Sequence, residues 1–575
     1  MTFFQLSQYL QKLEETASRN SMTEILAGLF RLAGKEEIGK LCYLLQGRVA
    51  PLYEPIEFGV GDKLMIRSIA KAYGIKDELV QKEFKRMGDL GIVAEQCKGD
   101  QGDKGDREDI SVLGVYELLY NLTMLSGEGS QEKKIEALAD ILSSIDALSA
   151  RYLVRIPLDK LRLGFSDMTI LDALSWMLVG DKSNRARLEE VYNIRPDIGL
   201  LAQQIKAHGI AGLSHVKATV GAPILASLCQ RLPTADEMIK KMTEVAVEPK
   251  YDGVRVQIHY DSRLKTQDSR VRTFSRNLEN TTAMFPELAE VGKQLDAEDV
   301  ILDSEAVGMD PATGKLIPFQ ETSTRKRKHD IQASLLKVPL RFFVFDILYK
   351  DGIDLLNKPL SERRDILEQT VKSGNLLTIS PQIVTDSPDK IRQYHDQQIK
   401  KGLEGAVVKK WQSPYEPGRR GYSWVKFKEE EGKTGKLTDS IDAVVMGYYR
   451  GEGKRAGFGI GAFLVGVKKG EEFVTITKIG TGVTDELWKD LKKAFSRQSS
   501  AIRPKQYAEV PKALIPDVWI DPKIVIEVAG DDLTKSSTHG AGIAIRFPRL
   551  VGIRTDKSAA QATTVGEVET MYKQQ

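Results

Sequence analysis

The spacing of apolar residues changes along this 575-residue chain, and that change limits the folds open to it. In the first third, apolar residues recur at helical spacing, as in Met22, Ile25, Leu26 and Leu29, which predicts amphipathic helices. From about Val216 they gather into short runs rich in β-branched and aromatic residues, which predicts strands. The chain is therefore expected to be multidomain, with a helical region followed by two regions that contain β-sheet.

Two groups of strands follow the helical region. The first group is predicted at residues 254–260, 300–307, 340–349, 405–409 and 422–427, and the second at 443–449, 463–467, 473–479 and 524–528. A charged turn at 429–433 separates the groups and indicates a hinge, and a helix near 485–495 interrupts the second group. We expect an all-α domain at 1–215, an α+β domain at 216–428 and a small five-stranded β-barrel at 429–575.

The overall composition narrows the class of protein but does not identify a ligand. The chain has 83 Lys and Arg against 80 Asp and Glu, so any basic surface must be local. The three cysteines, Cys42, Cys97 and Cys229, are too few and too far apart for a disulfide framework or a four-cysteine zinc site. No apolar run reaches the ~18 residues that a membrane-spanning helix needs. These observations predict a cytoplasmic protein with no membrane partner.

A lysine motif follows the strand-like run 245–249. It reads Lys250-Tyr251-Asp252-Gly253-Val254-Arg255. A lysine nucleophile attacks as the neutral amine, and a nearby cation or metal lowers its pKa for that purpose. Asp252 and Gly253 predict a tight turn that lets the backbone approach a nucleotide, and the planar fork of Arg255 suits phosphate or ribose oxygens. Taken alone, the hexapeptide is more typical of a surface turn.

Five further clusters follow this lysine in order. They are Phe274-Ser275-Arg276-Asn277, Ile301-Leu302-Asp303-Ser304-Glu305, Phe343-Val344-Phe345-Asp346-Ile347-Leu348, Glu404-Gly405-Ala406-Val407-Val408-Lys409 and Trp424-Val425-Lys426-Phe427-Lys428. Each one alone is more typical of a solvated strand end, a core aromatic or an exposed strand face. The whole series, in this order, indicates a shared site.

This series resembles the motifs of the covalent nucleotidyltransferases, the superfamily of polynucleotide ligases and messenger-RNA capping enzymes. The resemblance implies an α+β, ATP-grasp-like nucleotidyltransferase domain in which Lys250 attacks the α-phosphate of ATP and forms a phosphoramidate with AMP. It also implies that Glu305 and Glu404 hold Mg²⁺, with Mn²⁺ as an alternative, and that Phe345 stacks on the adenine beside Glu248.

The same resemblance assigns the remaining cations. Arg255, Arg276 and Arg420 would contact ribose and phosphates, and Lys426 and Lys428 would stabilise charge on the α-phosphate. Arg270 and Arg272 compete with Arg276 for its role, and Arg276 is favoured because it stands inside Phe-Ser-Arg-Asn.

The two ends of the chain resemble the outer domains of DNA ligases. Residues 516–519, 525–528, 542–549 and 554–557 are similar to the OB-fold barrel of ATP-dependent DNA ligases, which implies that Arg546 and Lys557 orient the leaving pyrophosphate. Residues 44–64 and 154–164 resemble the helical DNA-binding domain of the archaeal and eukaryotic replicative-type ligases. There Arg155, Lys160 and Arg162 either contact duplex phosphates or line a solvated helix face.

The resemblance as a whole implies an ATP-dependent DNA ligase, a monomer that seals 3′-hydroxyl/5′-phosphate nicks in double-stranded DNA during replication, repair and recombination. An RNA ligase or capping enzyme would share the central motifs but lack the helical region, and an NAD-dependent ligase needs a four-cysteine module. A non-catalytic DNA-binding clamp of the same fold is the alternative from another class. Phe3-Phe4 is similar to the end of a sliding-clamp-binding motif, but the preceding glutamine is missing, so clamp association lacks a clear motif.

Overall fold

The computed structural model describes residues 1–16, 18–100, 110–161, 163–232, 234–266, 270–310, 313–317, 339–419, 421–427, 440–451, 459–480, 483, 485–500, 502–530 and 532–574. The chain divides into two compact units, Met1–Lys428 and Glu429–Gln575. The turn at 429–433, where the sequence predicts a hinge, lies outside the described residues.

The first unit begins with a helical region of twelve α-helices among its described residues. These helices are α1 (Phe3–Glu14), α2 (Arg19–Leu32), α3 (Glu37–Leu45), α4 (Asp62–Tyr73), α5 (Asp77–Met87), α6 (Leu90–Asp100), α7 (Val112–Met124), α8 (Ser130–Ser144), α9 (Ala147–Arg155), α10 (Asp167–Val179), α11 (Arg185–Ile194) and α12 (Ile198–His208). Polar side chains start several of them: Thr2 and Gln5 form a reciprocal capping box, and Asp146 accepts from a backbone N–H of α9. Gly74 ends α4 in the left-handed conformation that favours glycine.

The helices share one apolar core, as their sequence spacing predicts. Of the apolar residues named above for their helical spacing, Met22, Leu26 and Leu29 are buried. The buried residues at similar spacing include Phe30, Leu119, Leu122, Ile135, Leu138, Ile141 and Leu142. Ile25 and Leu118 are partly buried against the same core. Because burying each such side chain contributes roughly 1.5–3 kcal/mol, this apolar stripe holds the helical region together.

Two sheets complete the first unit. Their strands are β1 (Gln230–Arg231), β2 (Val245–Pro249), β3 (Val254–Asp261), β4 (Val271–Ser275), β5 (Asp299–Met309), β6 (Leu316–Ile317), β7 (Leu340–Lys350), β8 (Ile353–Asp354), β9 (Leu377–Ile379), β10 (Ile383–Thr385), β11 (Ala406–Lys410) and β12 (Trp424–Phe427). In the described part, a five-stranded sheet has the order β1-β12-β11-β2-β10, and a seven-stranded sheet has the order β4-β3-β5-β7-β8 with β6 on β5 and β9 on β7. Three helices accompany them: α13 (Ala235–Met242), α14 (Leu360–Thr370) and α15 (Pro388–Lys400). The strands predicted for this region are confirmed.

Strand register brings the sequence motifs together. β2 pairs with β11 so that Pro249 lies opposite Ala406, which places the next residue, Lys250, beside the residues that precede β11. In the other sheet, Arg255 lies opposite Glu305, and Glu305 also lies opposite Phe343. Residues 250–253 connect β2 of one sheet to β3 of the other, so the lysine motif joins the two sheets.

The second unit is rich in β-structure. It contains β13 (Ile441–Tyr449), β14 (Ala462–Lys469), β15 (Glu472–Ile479), β16 (Ser499–Ser500), β17 (Val518–Ile520), β18 (Val525–Ala529), β19 (Asp532–Lys535), β20 (Ile543–Arg546) and β21 (Arg549–Ile553), with helices α16 (Asp485–Ser496) and α17 (Val565–Gln574). Within the described residues these strands form a seven-stranded sheet and a separate β19-β20 ribbon.

The expected count of five strands is wrong for this unit. β13 pairs with β18 through Ile441–Val444 and with β17 through Gly447–Tyr448, on either side of a register shift between Val445 and Gly447. A register shift of this kind bends a strand and lets its two halves pair with different neighbours. The sequence pattern marks the long strands but gives no sign of short ones such as β16 and β17.

Candidate active site

Lys250 lies where the two sheets of the first unit are connected. Its backbone N–H donates to the Gly405 carbonyl over 2.9 Å, and the Glu404 N–H donates to the Lys250 carbonyl over 3.2 Å, so the β2–β11 ladder continues past the strand ends. The Lys250 ammonium forms an ion pair with the Glu404 carboxylate, and the two side chains are 25% and 22% exposed. Both groups are thus fixed by backbone hydrogen bonds and still reachable by a ligand.

Gly253 is needed for a close approach of two strands. A Cβ atom on this residue would lie 2.4 Å from the Ala306 carbonyl oxygen and 2.9 Å from Cγ of Glu305. The sequence predicts that this glycine lets the backbone approach a nucleotide. The structure gives a different reason: the absence of a side chain lets the lysine motif pass against β5, which brings Glu305 toward Lys250.

The carboxyl group of Glu305 has a strongly raised pKa. Burial raises its pKa to about 8, and the neighbouring Asp303 and Glu404 carboxylates add to the rise, although Arg255 and Lys250 oppose it. A carboxyl group with this pKa is largely protonated at neutral pH, and a bound cation would favour its charged form. A perturbed pKa beside a partly exposed lysine is typical of a functional site.

Arg255 is held rigidly by polar groups of the first unit. Its guanidinium donates to both Asp303 oxygens over 3.0 and 2.6 Å, and to the Ser227 carbonyl over 2.8 Å. The Tyr415 hydroxyl accepts from Arg255 over 3.3 Å and donates to Asp303 over 2.9 Å. Tyr415 was not identified as a site residue from the sequence, because it lies 112 residues from Asp303 and in none of the motif clusters.

Glu248 and Lys409 form a buried ion pair in the five-stranded sheet. The Lys409 ammonium donates to both Glu248 oxygens over 3.0 and 2.9 Å and to the Phe345 carbonyl over 3.2 Å. It also lies 4.6 Å from the centroid of the Phe345 ring and 4.3 Å from that of Trp424. Burial raises the pKa of Glu248, and Lys409 opposes that shift. Lys409 belongs to one of the sequence clusters, but no role was assigned to it from the sequence, although a carboxylate inside an apolar strand signals that a cationic partner is needed.

The other predicted cations of the first unit occupy different places. Lys426 lies opposite Val407, which lies opposite Glu248, so all three share one face of the sheet. Arg276 is exposed just after β4 and lines a small cavity together with Arg255 and Asp303. Arg270 and Arg272 line a different cavity. Arg420 and Lys428 lie outside the described residues.

In the second unit, Arg546 lies in β20, and Lys557 lies in the irregular segment after β21. The Lys557 ammonium donates to Asp442 over 2.5 Å, and Arg554 donates to the other oxygen of Asp442 over 3.1 Å. Arg546 ends β20 in the two-stranded ribbon, and its guanidinium lies 5.2 Å from the centroid of the Phe547 ring. Asp442 was missed in the sequence, where an acid inside a strand pattern carries no mark of its long-range partners.

Arg155 does not contact a ligand surface, so both roles considered for it are wrong. It is 2% exposed, and it bonds to Glu14 over 2.8 and 3.1 Å and to Asp89 over 2.9 Å. Lys160, which is partly exposed, pairs with Asp62 over 2.7 Å. Arg162 lies outside the described residues. Arg155 is therefore a structural arginine that ties α9 to α1 and to Asp89, which precedes α6.

The protein ligands available to a cation at Lys250 are few. No group of three or more His, Cys, Asp or Glu side chains that could hold a metal occurs among the described residues. No described helix has the length and apolar character needed to cross a membrane.

A lysine beside two carboxylates, with a buried aromatic wall and fixed arginines, is the site expected of a covalent nucleotidyltransferase. Family models match three consecutive stretches: "DNA ligase N terminus" at 2–175, "ATP dependent DNA ligase domain" at 223–428 and "ATP dependent DNA ligase C terminal region" at 456–557.

Relatives match the chain over its whole length. A Dictyoglomus thermophilum protein named "Probable DNA ligase" is 42% identical over 586 residues, which span 100% of this chain and 98% of the relative. "DNA ligase 2" of Thermofilum pendens is 38% identical and spans 99% of this chain and 97% of the relative. A solved structure described as Pmar-Lig_Pre has a TM-score of 0.54 over 96% of this chain and 99% of its own, and its 17% identity supports the fold alone.

The chain belongs to the ATP-dependent DNA ligase family. Members of this family seal breaks in DNA through an adenylate intermediate, and the chain is an enzyme of that type.

Proposed function

We propose that Lys250 carries the covalent adenylate. The Lys250 ammonium first releases a proton to water, and Nζ of the neutral amine attacks the α-phosphorus of ATP. A P–N bond forms, the bond from the α-phosphorus to the bridging oxygen breaks, pyrophosphate leaves, and the nitrogen releases a second proton. The observation that supports this assignment is the partly exposed Lys250–Glu404 pair, placed beside Glu305 and the Arg255–Asp303 pair. The AMP then passes to the 5′-phosphate of a nick and is displaced by the 3′-hydroxyl.

The adenine would lie against Phe345. That ring is buried with Trp424 in an edge-to-face pair whose centroids are 5.9 Å apart, and Lys409 holds Glu248 next to both rings. The ion pair leaves the carboxylate immobile, so its oxygens and the Phe345 backbone present fixed polar atoms to a purine edge. Arg255, Arg276 and Arg420 would contact the ribose and phosphates, and Lys426 and Lys428 would stabilise charge on the α-phosphate.

Glu305 and Glu404 would hold Mg²⁺, or Mn²⁺ in its place. The two carboxylates suit a hard cation that keeps several water or phosphate ligands, and the raised pKa of Glu305 means that a cation would replace a proton there. The metal would neutralise the triphosphate when bound.

The outer parts of the chain would act on pyrophosphate and on DNA. We assign Arg546 and Lys557, on an OB-fold domain at 429–575, to orientation of the leaving pyrophosphate, and a hinge near 429 to movement of that domain between steps. The all-α domain at 1–215 would grip nicked duplex DNA through phosphates, and the nucleotidyltransferase domain would span 216–428. A monomeric state and a cytoplasmic location stay predictions.

Labelling with ATP tests the central assignment. The full-length protein is incubated with α-labelled ATP and Mg²⁺, and the adduct is mapped by mass spectrometry after digestion. We expect AMP on Lys250, with no adduct on Lys250→Ala and an unchanged adduct on the control Lys240→Ala, which replaces a lysine in α13. A stable adduct on another lysine of the Lys250→Ala protein would overturn the assignment.

A further inference from the structure

A second cavity lies in the first unit, away from Lys250. It has a volume of about 340 Å³ and is lined by residues from the helical region, from the segment 219–222 and from the β3–β4 hairpin. Alternate residues of a strand point to the same face of the sheet, and Arg255, His259 and Asp261 are such residues of β3. Because His259 and Asp261 line the cavity, it lies on the face that carries the proposed nucleotide site. His259 is four residues from Arg255, or about 13 Å along the strand.

Three guanidinium groups line this cavity from two parts of the chain. Arg195 follows α11, and Arg270 and Arg272 lie at the start of β4. Arg195 donates to the Thr219 hydroxyl over 3.2 Å, and Arg270 donates to the Leu264 carbonyl over 2.9 Å, so both of these acceptors are neutral. In addition, Nε of Arg195 is buried with no hydrogen-bond partner among the described residues. A buried donor without an acceptor is costly, which points to an acceptor supplied by a ligand.

The acidic and titratable side chains at the cavity do not neutralise the positive charge of these three arginines. Asp261 accepts two hydrogen bonds from the Arg263 guanidinium, each 2.9 Å long, and one from the Arg263 N–H over 3.0 Å, and Arg263 does not line the cavity. Glu54 lies 3.5 Å from Arg272, and both side chains are partly exposed. His259 accepts from the Gly221 N–H at Nδ1, and burial lowers its pKa to about 3, so it contributes no charge near neutral pH.

We propose that this cavity binds a phosphate group through Arg195, Arg270 and Arg272. Guanidinium groups that line one cavity repel one another unless an anion lies among them, and phosphate oxygens match their donor geometry. The group comes either from the DNA backbone or from a free phosphate ion. In the first case the cavity fixes the position of duplex DNA relative to the nucleotide site without reading its sequence.

One pair of variants tests this site. Arg270→Gln removes a lining guanidinium, and Lys265→Gln removes the same charge from an exposed lysine of the same hairpin that does not line the cavity. Binding of inorganic phosphate is measured by equilibrium dialysis at constant ionic strength. Binding of a nicked duplex is measured across a salt series. We expect Arg270→Gln to weaken one or both by at least fivefold relative to Lys265→Gln.

The two ligand sources give different results. If DNA supplies the phosphate, the slope of log affinity against log salt falls by about 0.9 in Arg270→Gln alone, and inorganic phosphate competes with DNA. If free phosphate is the ligand, its dissociation constant rises while the DNA slope is unchanged. If the two variants bind inorganic phosphate equally and bind nicked duplex with equal affinity and salt slope, the proposed phosphate site is wrong. Lys250 adduct formation, measured in parallel on each protein, reports separately on the proposed catalytic role.

Discussion

Arg155 in the helical region is buried, and Glu305 in the seven-stranded sheet is half-buried, and the charges around these two ionisable residues differ. Arg155 has carboxylates of Glu14 and Asp89 within hydrogen-bonding distance. Glu305 has two carboxylates near it, and Arg255 and Lys250 only partly offset the burial that raises its pKa to about 8. A buried charged group that has enough opposite charge around it serves the fold. A group whose charged form is not fully stabilised by its neighbours marks a place where a bound ligand can supply the missing charge.

The largest effect is expected at the scaffold arginine. Arg155→Ala removes the guanidinium that pairs with Asp89, which is 5% exposed, and breaking a buried pair in this way costs about 3–5 kcal/mol of unfolding free energy. Urea unfolding followed by helical circular dichroism measures this loss. At low temperature, where the variant is folded, the yield of Lys250 adduct per folded molecule should equal that of the wild type.

Arg67→Ala is the matched control for this experiment. Arg67 also pairs with a glutamate, but the two side chains are 46% and 59% exposed, so its removal should cost less than about 1 kcal/mol. If Arg155→Ala and Arg67→Ala destabilise the protein equally, Arg155 is not a scaffold residue.

The opposite pattern is expected at Glu404. Glu404→Gln should slow adduct formation by about 10²–10³-fold, because it removes a metal ligand and the partner of Lys250. The unfolding free energy should change by less than about 1 kcal/mol, since the ion pair is partly solvated. Single-turnover labelling and urea unfolding measure the two quantities. The control is Glu362→Gln, whose exposed partner is Lys358, and neither quantity should change there.

The long helices and strands could be predicted from the sequence, but the ion pairs that join distant segments could not. Strands β3, β7, β13 and β15 were predicted to within a few residues, because alternating or continuous apolar runs are local signals. The lysine motif and its order of partners came from family resemblance. Arg155, in contrast, pairs with Glu14 and Asp89 across 141 and 66 residues, and Lys409 pairs with Glu248 across 161. No local pattern distinguishes such charges from solvated ones.

A smaller and more selective effect is expected in the second unit. Arg546→Ala and Lys557→Ala should each slow formation of the Lys250 adduct by roughly 10²-fold, yet seal a nick that already carries a 5′-adenylate at the wild-type rate. Lys557 is held by Asp442 in the structure, so Asp442→Asn should alter the same first step and leave sealing unchanged. Equal losses on ordinary and pre-adenylated nicks would show that these residues act on DNA closure instead.

The smallest change expected in adduct formation is a pH dependence that follows from Glu305. Its pKa is about 8 in the folded protein and 4.5 ordinarily, so the folded state binds this proton more tightly than the unfolded state does. Without metal, the contribution of Glu305 to stability is therefore fully present below pH 4.5 and is lost as pH rises toward 8.

With metal, Mg²⁺ must displace the proton, so the Mg²⁺ concentration that half-saturates adduct formation should fall roughly tenfold from pH 6 to pH 7 and level off above the pKa. Glu362→Gln should keep this dependence, and Glu305→Gln should lose the decline in stability. A half-saturating concentration that stays constant across that range in the wild type would remove Glu305 from the metal site and end the contrast with Arg155.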